Sequence, residues 1–369
     1  MEVAAPPKRL LSLDTLRGFD MFWIIGADLF VRQMAEASDS PFWQTFQKQL
    51  EHPYWNGFAF YDLIFPLFMF ISGVSTPYSI GRELEQGKSR GLLLRKVVIR
   101  GAILIILGMF YNNGLEIRPL HEFRFPSVLG KIGAAYIFAN VVYLFSPRRF
   151  HYAWYFGLLI GYWLLLKFTA APGFPMGDLT EKGNFMSWFD RTVLPGRLSR
   201  GIHDTVGLLN IITGTCTTLA GIIAGEYLKL NQASPSRKSF TFSAAGIVLI
   251  LLALLWNFDF PINKNLWSSS FVFLTTGLSL LLFAIFYFVI DVKGYSRWTI
   301  FFRVIGMNSI LIYISVKFID WQFMANSLFG WVVQLTGKPY DTPVLTLCVI
   351  AVEWMILYML YKKKIFLRV

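Results

Sequence analysis

The chain is 369 residues long, 55% hydrophobic and 15% charged, with 34 Lys and Arg against 22 Asp and Glu for a formal charge of +12. Soluble domains carry about 25% charged residues, so this composition with a mean hydropathy of +0.51 excludes an ordinary globular protein. An aromatic content of 17% excludes disorder, and two cysteines exclude a disulfide scaffold.

A helix needs roughly 20 mostly apolar residues to cross about 30 Å of hydrocarbon. Ten segments qualify, at about 18–34, 59–80, 97–113, 126–146, 152–170, 205–228, 240–257, 268–290, 299–318 and 342–361. The expected fold is therefore all-α: a polytopic membrane helix bundle of about ten transmembrane helices, forming one domain over residues 1–369. A further apolar piece at 321–336 is short and interrupted by Gly330, and reads as interfacial or re-entrant. The longest polar stretches, 35–58 and 171–204, are too short for domains but long enough to roof a site.

Lys and Arg in short connections mark the cytoplasmic side. With both termini inside, the inner segments hold 20 of the 34 basic residues, from Lys8, Arg9 and Arg17 to Lys362, Lys363, Lys364 and Arg368. An N-in, C-in arrangement needs an even number of spans, which ten satisfies. Taken alone, +12 suggests a nucleic-acid or acidic partner; distributed in this way it reads as topology, so a lipid bilayer and no nucleic acid is expected. Residues 1–17 are polar and basic, and the first apolar block carries Asp20 and Asp28, so no secretory signal core is expected.

Ionisable groups inside spans are costly and usually face a bundle interior or a wet cavity. On an ideal helix Asp20 and Asp28 lie about 80° apart and roughly 12 Å apart in height. Asp62, Lys131, Glu226, Arg303, Asn308 and Glu353 also fall within predicted spans. An ion pair or a snorkelling side chain explains any one of them equally well; so many in one bundle point to a polar cavity. Of four histidines, His121, His151 and His203 read as interfacial or locally bonded, whereas His52 stands between an acid and a proline before an aromatic belt. A neutral imidazole suits a general base, oriented by Glu51, Asp62 or Asp28. No His or Cys pair has metal-ligand spacing, so no metal is expected, and neither a Walker loop, a GxGxxG after a strand nor a GxSxG nucleophile elbow is expected.

Six ordered blocks carry a resemblance. LDTLRGFDMF (13–22), HPYWNGFAFYDLIFPLFMFISG (52–73), FPSVLGKIGAAY (125–136), VGLLNIITGTCTTLAGIIAG (206–225), FPINKNLWSSSFV (260–272) and DVKGYSRWTIFFRVIGMNSILIY (291–313) resemble the heparan-α-glucosaminide N-acetyltransferases and their bacterial relatives. Two departures stand out. Gly130 and Lys131 occupy a place usually held by Gln-Arg, and Asp28 stands where the lysosomal members carry a functional asparagine.

The resemblance implies transfer of an acetyl group from cytoplasmic acetyl-CoA, a co-substrate, to a glucosamine-type amino sugar across a bacterial cytoplasmic (inner) membrane. His52 would be the catalytic histidine, with Asp28 as its polar partner. Arg17, Arg95 and Lys96 are candidates for the coenzyme phosphates, as guanidinium forks suit phosphate, although the positive-inside rule alone explains them as well. Lys131, Arg303 and Asn308 would line the path of the pantetheine arm. Around the acceptor, Asn56, Lys264 or Asn265 would donate to the oxyanion, with Asp62 beside them and Trp55 and Trp267 stacking on the sugar. His52 would act as base in direct transfer, or carry the acetyl group itself. Two other classes share these residues: an acetyl-CoA-dependent O-acyltransferase of an envelope glycan, and a small-molecule transporter, against which the halves show no correspondence of the inverted-repeat kind. A homodimer is compatible with flat outer helices.

Overall fold

Long apolar runs fold as helices in lipid because each helix satisfies its own backbone hydrogen bonds. In the computed structural model, which describes residues 10–116 and 118–367, every named element is helical. Lys8, Arg9 and Arg368, counted above in the charge distribution, lie outside the described residues.

In chain order the elements are α1 (Leu11–Phe22), α2 (Asp28–Ala37), α3 (Pro41–Gln49), α4 (Ile64–Glu85), α5 (Arg90–Asn113), α6 (Val128–Phe145), α7 (His151–Phe168) and α8 (Phe185–Val193). They continue with α9 (Ile211–Leu230), α10 (Pro235–Trp256), α11 (Ser269–Phe286), α12 (Ile300–Met307), α13 (Ser309–Phe318), α14 (Trp321–Thr336) and α15 (Asp341–Lys362). Each predicted span falls on a helix or a pair of consecutive helices. Among the described residues six helices are long and apolar enough to cross a membrane, or seven if the broken pair α12–α13, bent by 59°, counts as one span. The expected ten is thus not reached on those criteria; α5, for example, carries Arg90, Arg95, Lys96 and Arg100 in its first half. Gly330 does not interrupt the piece at 321–336, which is the continuous helix α14 packed on α15.

Side-chain caps fix several helix starts. Ser89, Ser127, Asn184, Ser234, Ser268 and Asp320 each accept a backbone N–H of the first turn. The start of α1 is held from a distance, the Asp291 carboxylate accepting from the N–H groups of Leu11 and Ser12. Between α1 and α2 a wide turn over Trp23–Ala27 interrupts the α-helix, with Gly26 at φ 151°. That turn resets the helical phase, so the 80° relation expected between Asp20 and Asp28 does not apply.

Close backbone approach organises the centre. A Cβ on Gly73 of α4 would meet the Thr218 carbonyl of α9, and one on Gly221 of α9 would meet the Phe70 carbonyl of α4. Without apolar driving force between helices in lipid, such small-residue contacts supply the packing. The principal core includes Leu67, Phe70, Val74, Leu219, Ile222 and Phe271, all fully buried. A second core joins α1, α12, α14 and α15 through Met21, Val304, Ile305, Trp321 and Val352. The first turns of α4 lead into the cavity containing His52, and its last turns into a second cavity beside Arg17.

Candidate active site

The segment HPYWNGFAFYD turns twice before α4. Gly57, at φ 124°, donates its N–H to the Ile262 carbonyl, joining this segment to the loop before α11. The following 3₁₀ turn, Phe60–Leu63, carries Asp62, whose Oδ2 accepts the Ala59 N–H at 2.9 Å. Its Oδ1 lies 2.7 Å from His52 Nδ1 and 3.1 Å from Lys264 Nζ. A carboxylate only accepts, so the His52 proton belongs on Nδ1 and Nε2 carries the lone pair. Lys264 Nζ is also 3.1 Å from Nε2, so acid, imidazole and ammonium form one cluster. Burial lowers the Lys264 pKa, opposed by the Asp62 charge.

Of the three carboxylates considered for His52, Asp62 is the one in contact. Asp28 stands beside Tyr61, whose ring packs 5.4 Å from that of His52. Glu51 pairs with Arg32 at 3.9 Å. Asp28 thus touches the histidine only through an intervening tyrosine.

His52, Lys264, Asn265 and Trp267 line a cavity of about 560 Å³. Trp267 is fully buried, in a left-handed conformation at φ 51°, with its indole N–H directed to Thr217 Oγ1 at 3.3 Å. Lys131 Nζ lies 3.4 Å from the centre of the Trp267 ring, so Lys131 sits beneath the wall of the cavity and does not line it. Trp55 donates to the Leu179 carbonyl and meets His203 edge-on, while Asn56 accepts from Asn263. Neither faces the cavity; both fix the loops that bound it.

Several cavity residues were not singled out from sequence. Tyr111 and Tyr313 stack with centroids 4.7 Å apart. Arg124 and Arg200 add positive charge, Arg124 pairing with Asp204 at 3.2 Å. Behind them, burial raises Asp190 to about 7, against the Leu208 N–H that it accepts. Burial lowers His203, which stands 3.2 Å from Glu181.

A second cavity, of about 660 Å³, opens at the opposite end of α4. Arg17, Lys96 and Arg100 line it with the hydroxyls of Ser72, Ser75 and Ser79. Arg17 donates to Ser75 Oγ, and Lys96 meets Glu83 at 2.5 Å. Arg95 is exposed and is not among the residues lining either cavity; Arg100, four positions after Lys96, takes the place expected of it. Arg303 donates to the Tyr361 hydroxyl, and Asn308 is buried with its amide spent on the backbone of residues 365 and 367. Phe68, Ile132 and Ile310 line both cavities, which therefore adjoin across these three side chains. Among the described residues no cluster of His, Cys, Asp and Glu suits a metal ion.

Residues 9–188 match the family described as "Heparan-alpha-glucosaminide N-acetyltransferase, catalytic". The human heparan-alpha-glucosaminide N-acetyltransferase is 28% identical, the alignment covering 100% of this chain and 61% of the human protein. The mouse protein of the same name is also 28% identical, over 99% of this chain and 62% of its own length. The chain spans about three-fifths of the length of these curated relatives. Residues 9–188 by the family model, and the whole chain by the two relatives, are thus similar to the heparan-α-glucosaminide N-acetyltransferases.

Proposed function

We propose that the protein is an integral-membrane acetyltransferase that moves the acetyl group of acetyl-CoA to the amine of a glucosamine-type sugar. The observation that carries this reading is the His52–Asp62 pair in a cavity that meets, at Phe68, Ile132 and Ile310, a second cavity lined by Arg17, Lys96 and Arg100. The basic cavity suits the coenzyme phosphates, and its serine hydroxyls suit the amides of the pantetheine arm. The junction is apolar and suits a slender thioester. With Lys and Arg marking the cytoplasmic side, the donor enters from within the cell and the acceptor from outside, which in a bacterium is the inner membrane.

In the acceptor cavity the amine approaches Nε2 of His52, which takes its proton as nitrogen attacks the thioester carbonyl. Asp62 holds the ring in the required tautomer and stabilises the imidazolium. Lys264 and Asn265 are the donors nearest to that position and suit the developing oxyanion. The imidazolium then returns its proton to the leaving thiolate. Direct transfer is favoured over an acetyl-histidine, because it needs no free-standing acyl-imidazole on a ring that is 38% exposed. Three cations around this cavity, Arg124, Arg200 and Lys264, further suit an acceptor bearing an acidic group.

The deciding experiment is a screen of neutral and acidic amino sugars, and of their hydroxyl counterparts, with labelled acetyl-CoA and purified protein in detergent. N-acetylated product that is lost in His52→Ala protein supports the reading. Transfer to hydroxyl sugars alone would replace it with the O-acyltransferase, and equal transfer by both proteins would remove His52 from the chemistry.

A further inference from the structure

The chain does not simply stop after α15. Lys364 adopts a left-handed conformation at φ 56°, and the N–H groups of Lys363, Lys364 and Ile365 return to the carbonyls of Met359, Tyr361 and Leu360. The turn reverses the backbone, so residues 365–367 run back against the break between α12 and α13. There Asn308, at φ −126° and ψ 34°, ends one helix and starts the next.

Its side chain grips the returning strap on both sides. Asn308 Nδ2 donates to the Ile365 carbonyl at 3.0 Å, and Oδ1 accepts the Leu367 N–H at 2.9 Å. The residue is 1% exposed, so each amide group has exchanged water for a strap partner. Between these two bonds Phe366 packs edge-on to Tyr361, which also receives the Arg303 guanidinium. Phe366 and Leu367 then form one wall of the basic cavity, continuous with Gly306, Met307, Ser309 and Ile310 from the broken helix and facing the serines of α4.

We propose that Asn308 is a positioning residue for donor binding: it clamps the strap 365–367 as one wall of the basic cavity, against which the arm of the coenzyme lies. The proposal rests on reading that cavity as the acetyl-CoA site. An amide suits the role because it must donate and accept at once to hold one turn of returning backbone; a carboxylate or an alkyl group of similar size supplies half of this or none.

The test compares three single variants, Asn308→Ala, Leu367→Ala and Arg100→Ala, in steady-state assays that vary acetyl-CoA and glucosamine separately. Both strap variants should raise KM for acetyl-CoA about tenfold, leave KM for glucosamine unchanged, and hold kcat at saturating donor within about twofold. A merely structural role would instead lower the amount of folded protein and disturb both substrates alike, which overturns the proposal. If Arg100→Ala raises the donor KM while neither strap variant does, the strap inference falls alone. If Arg100→Ala also leaves it unchanged, the cavity assignment falls with it. An independent measurement uses Leu367→Cys in a Cys348→Ser background, with Cys216 left buried in the core. Coenzyme A should slow maleimide labelling of that cysteine at least fivefold; equal labelling with and without coenzyme A overturns the proposal.

Discussion

Asp62→Asn is the substitution that asks most of the proposed site. The amide keeps the shape of the carboxylate but loses its charge. With its oxygen held by the Ala59 N–H, its NH₂ group faces His52 Nδ1. Nδ1 must then accept, the ring proton moves to Nε2, and the nitrogen facing the acceptor can no longer take a proton. The electrostatic loss can be sized. At an effective dielectric of about 20, unit charges at the 2.7 Å separation of Asp62 and Nδ1 attract by about 6 kcal/mol. The Lys264 ammonium, 3.1 Å from Nε2, repels an imidazolium by about 5 kcal/mol on the same scale. The two nearly offset, and the substitution leaves the repulsion unopposed. The His52 side chain is 38% exposed, so solvent screening removes about half of the 6 kcal/mol and leaves about 3 kcal/mol. That corresponds to roughly a hundredfold loss of kcat, with KM for acetyl-CoA unchanged because the basic cavity is untouched. The assay is transfer from labelled acetyl-CoA to glucosamine in detergent. Asp28→Asn is its control: Asp28 reaches the ring only through Tyr61, and the loss should stay below tenfold. A kcat for Asp62→Asn within threefold of wild type, with His52→Ala inactive, would refute the orienting role.

Three further outcomes follow from the geometry. Ile310→Trp fills the junction of the two cavities and should abolish transfer while coenzyme A still binds, measured by calorimetry; retained transfer would mean that the acyl group takes another route. Lys96→Ala should raise KM for acetyl-CoA severalfold and Arg95→Ala should not, since only Lys96 lines the basic cavity; equal effects would favour a diffuse surface charge. Asp190, raised by burial to about 7, has an ordinary value near 4 when unfolded. Above pH 7 the folded state bears a desolvated charge, and as pH falls from 7 towards 4 it gains a proton that the unfolded chain does not hold, so this group's contribution to stability rises. Asp190→Asn should therefore melt above wild type at pH 8, with the gap narrowing as pH falls through 5 towards 4, and a gap independent of pH would count against the shift.

The helices were legible because hydrocarbon thickness sets their length, and each predicted span found a helix. Length alone could not show that the first would be split by the wide turn at Gly26 or the ninth broken at Asn308. The acid that touches His52 was not legible along the chain, where Glu51 is its neighbour and Asp62 and Asp28 stand farther off, so that proximity in sequence points to the wrong one. The choice is made by the 3₁₀ turn, which aims Asp62 back at the ring. That Arg100 and not Arg95 lines the basic cavity with Lys96 follows from helical spacing, since Lys96 and Arg100 are four apart and share a face while Arg95 is turned about 100° away. Arg124 and Arg200 lie in loops, where no periodicity reports which way a side chain points. Lys131 looked like a lining residue because a charge at mid-span suggests water, yet the aromatic face of Trp267 receives it.

The meeting of the two cavities has a consequence for the membrane itself. Phe68, Ile132 and Ile310, which both cavities share, are all hydrocarbon side chains. A hydrated ion or a sugar would have to shed its water to pass them, whereas an acetyl thioester has little water to lose. On the proposed function, such a junction would pass one small acyl group and insulate against everything larger or charged, so that group transfer across the bilayer need not short-circuit the ion gradients of the cell.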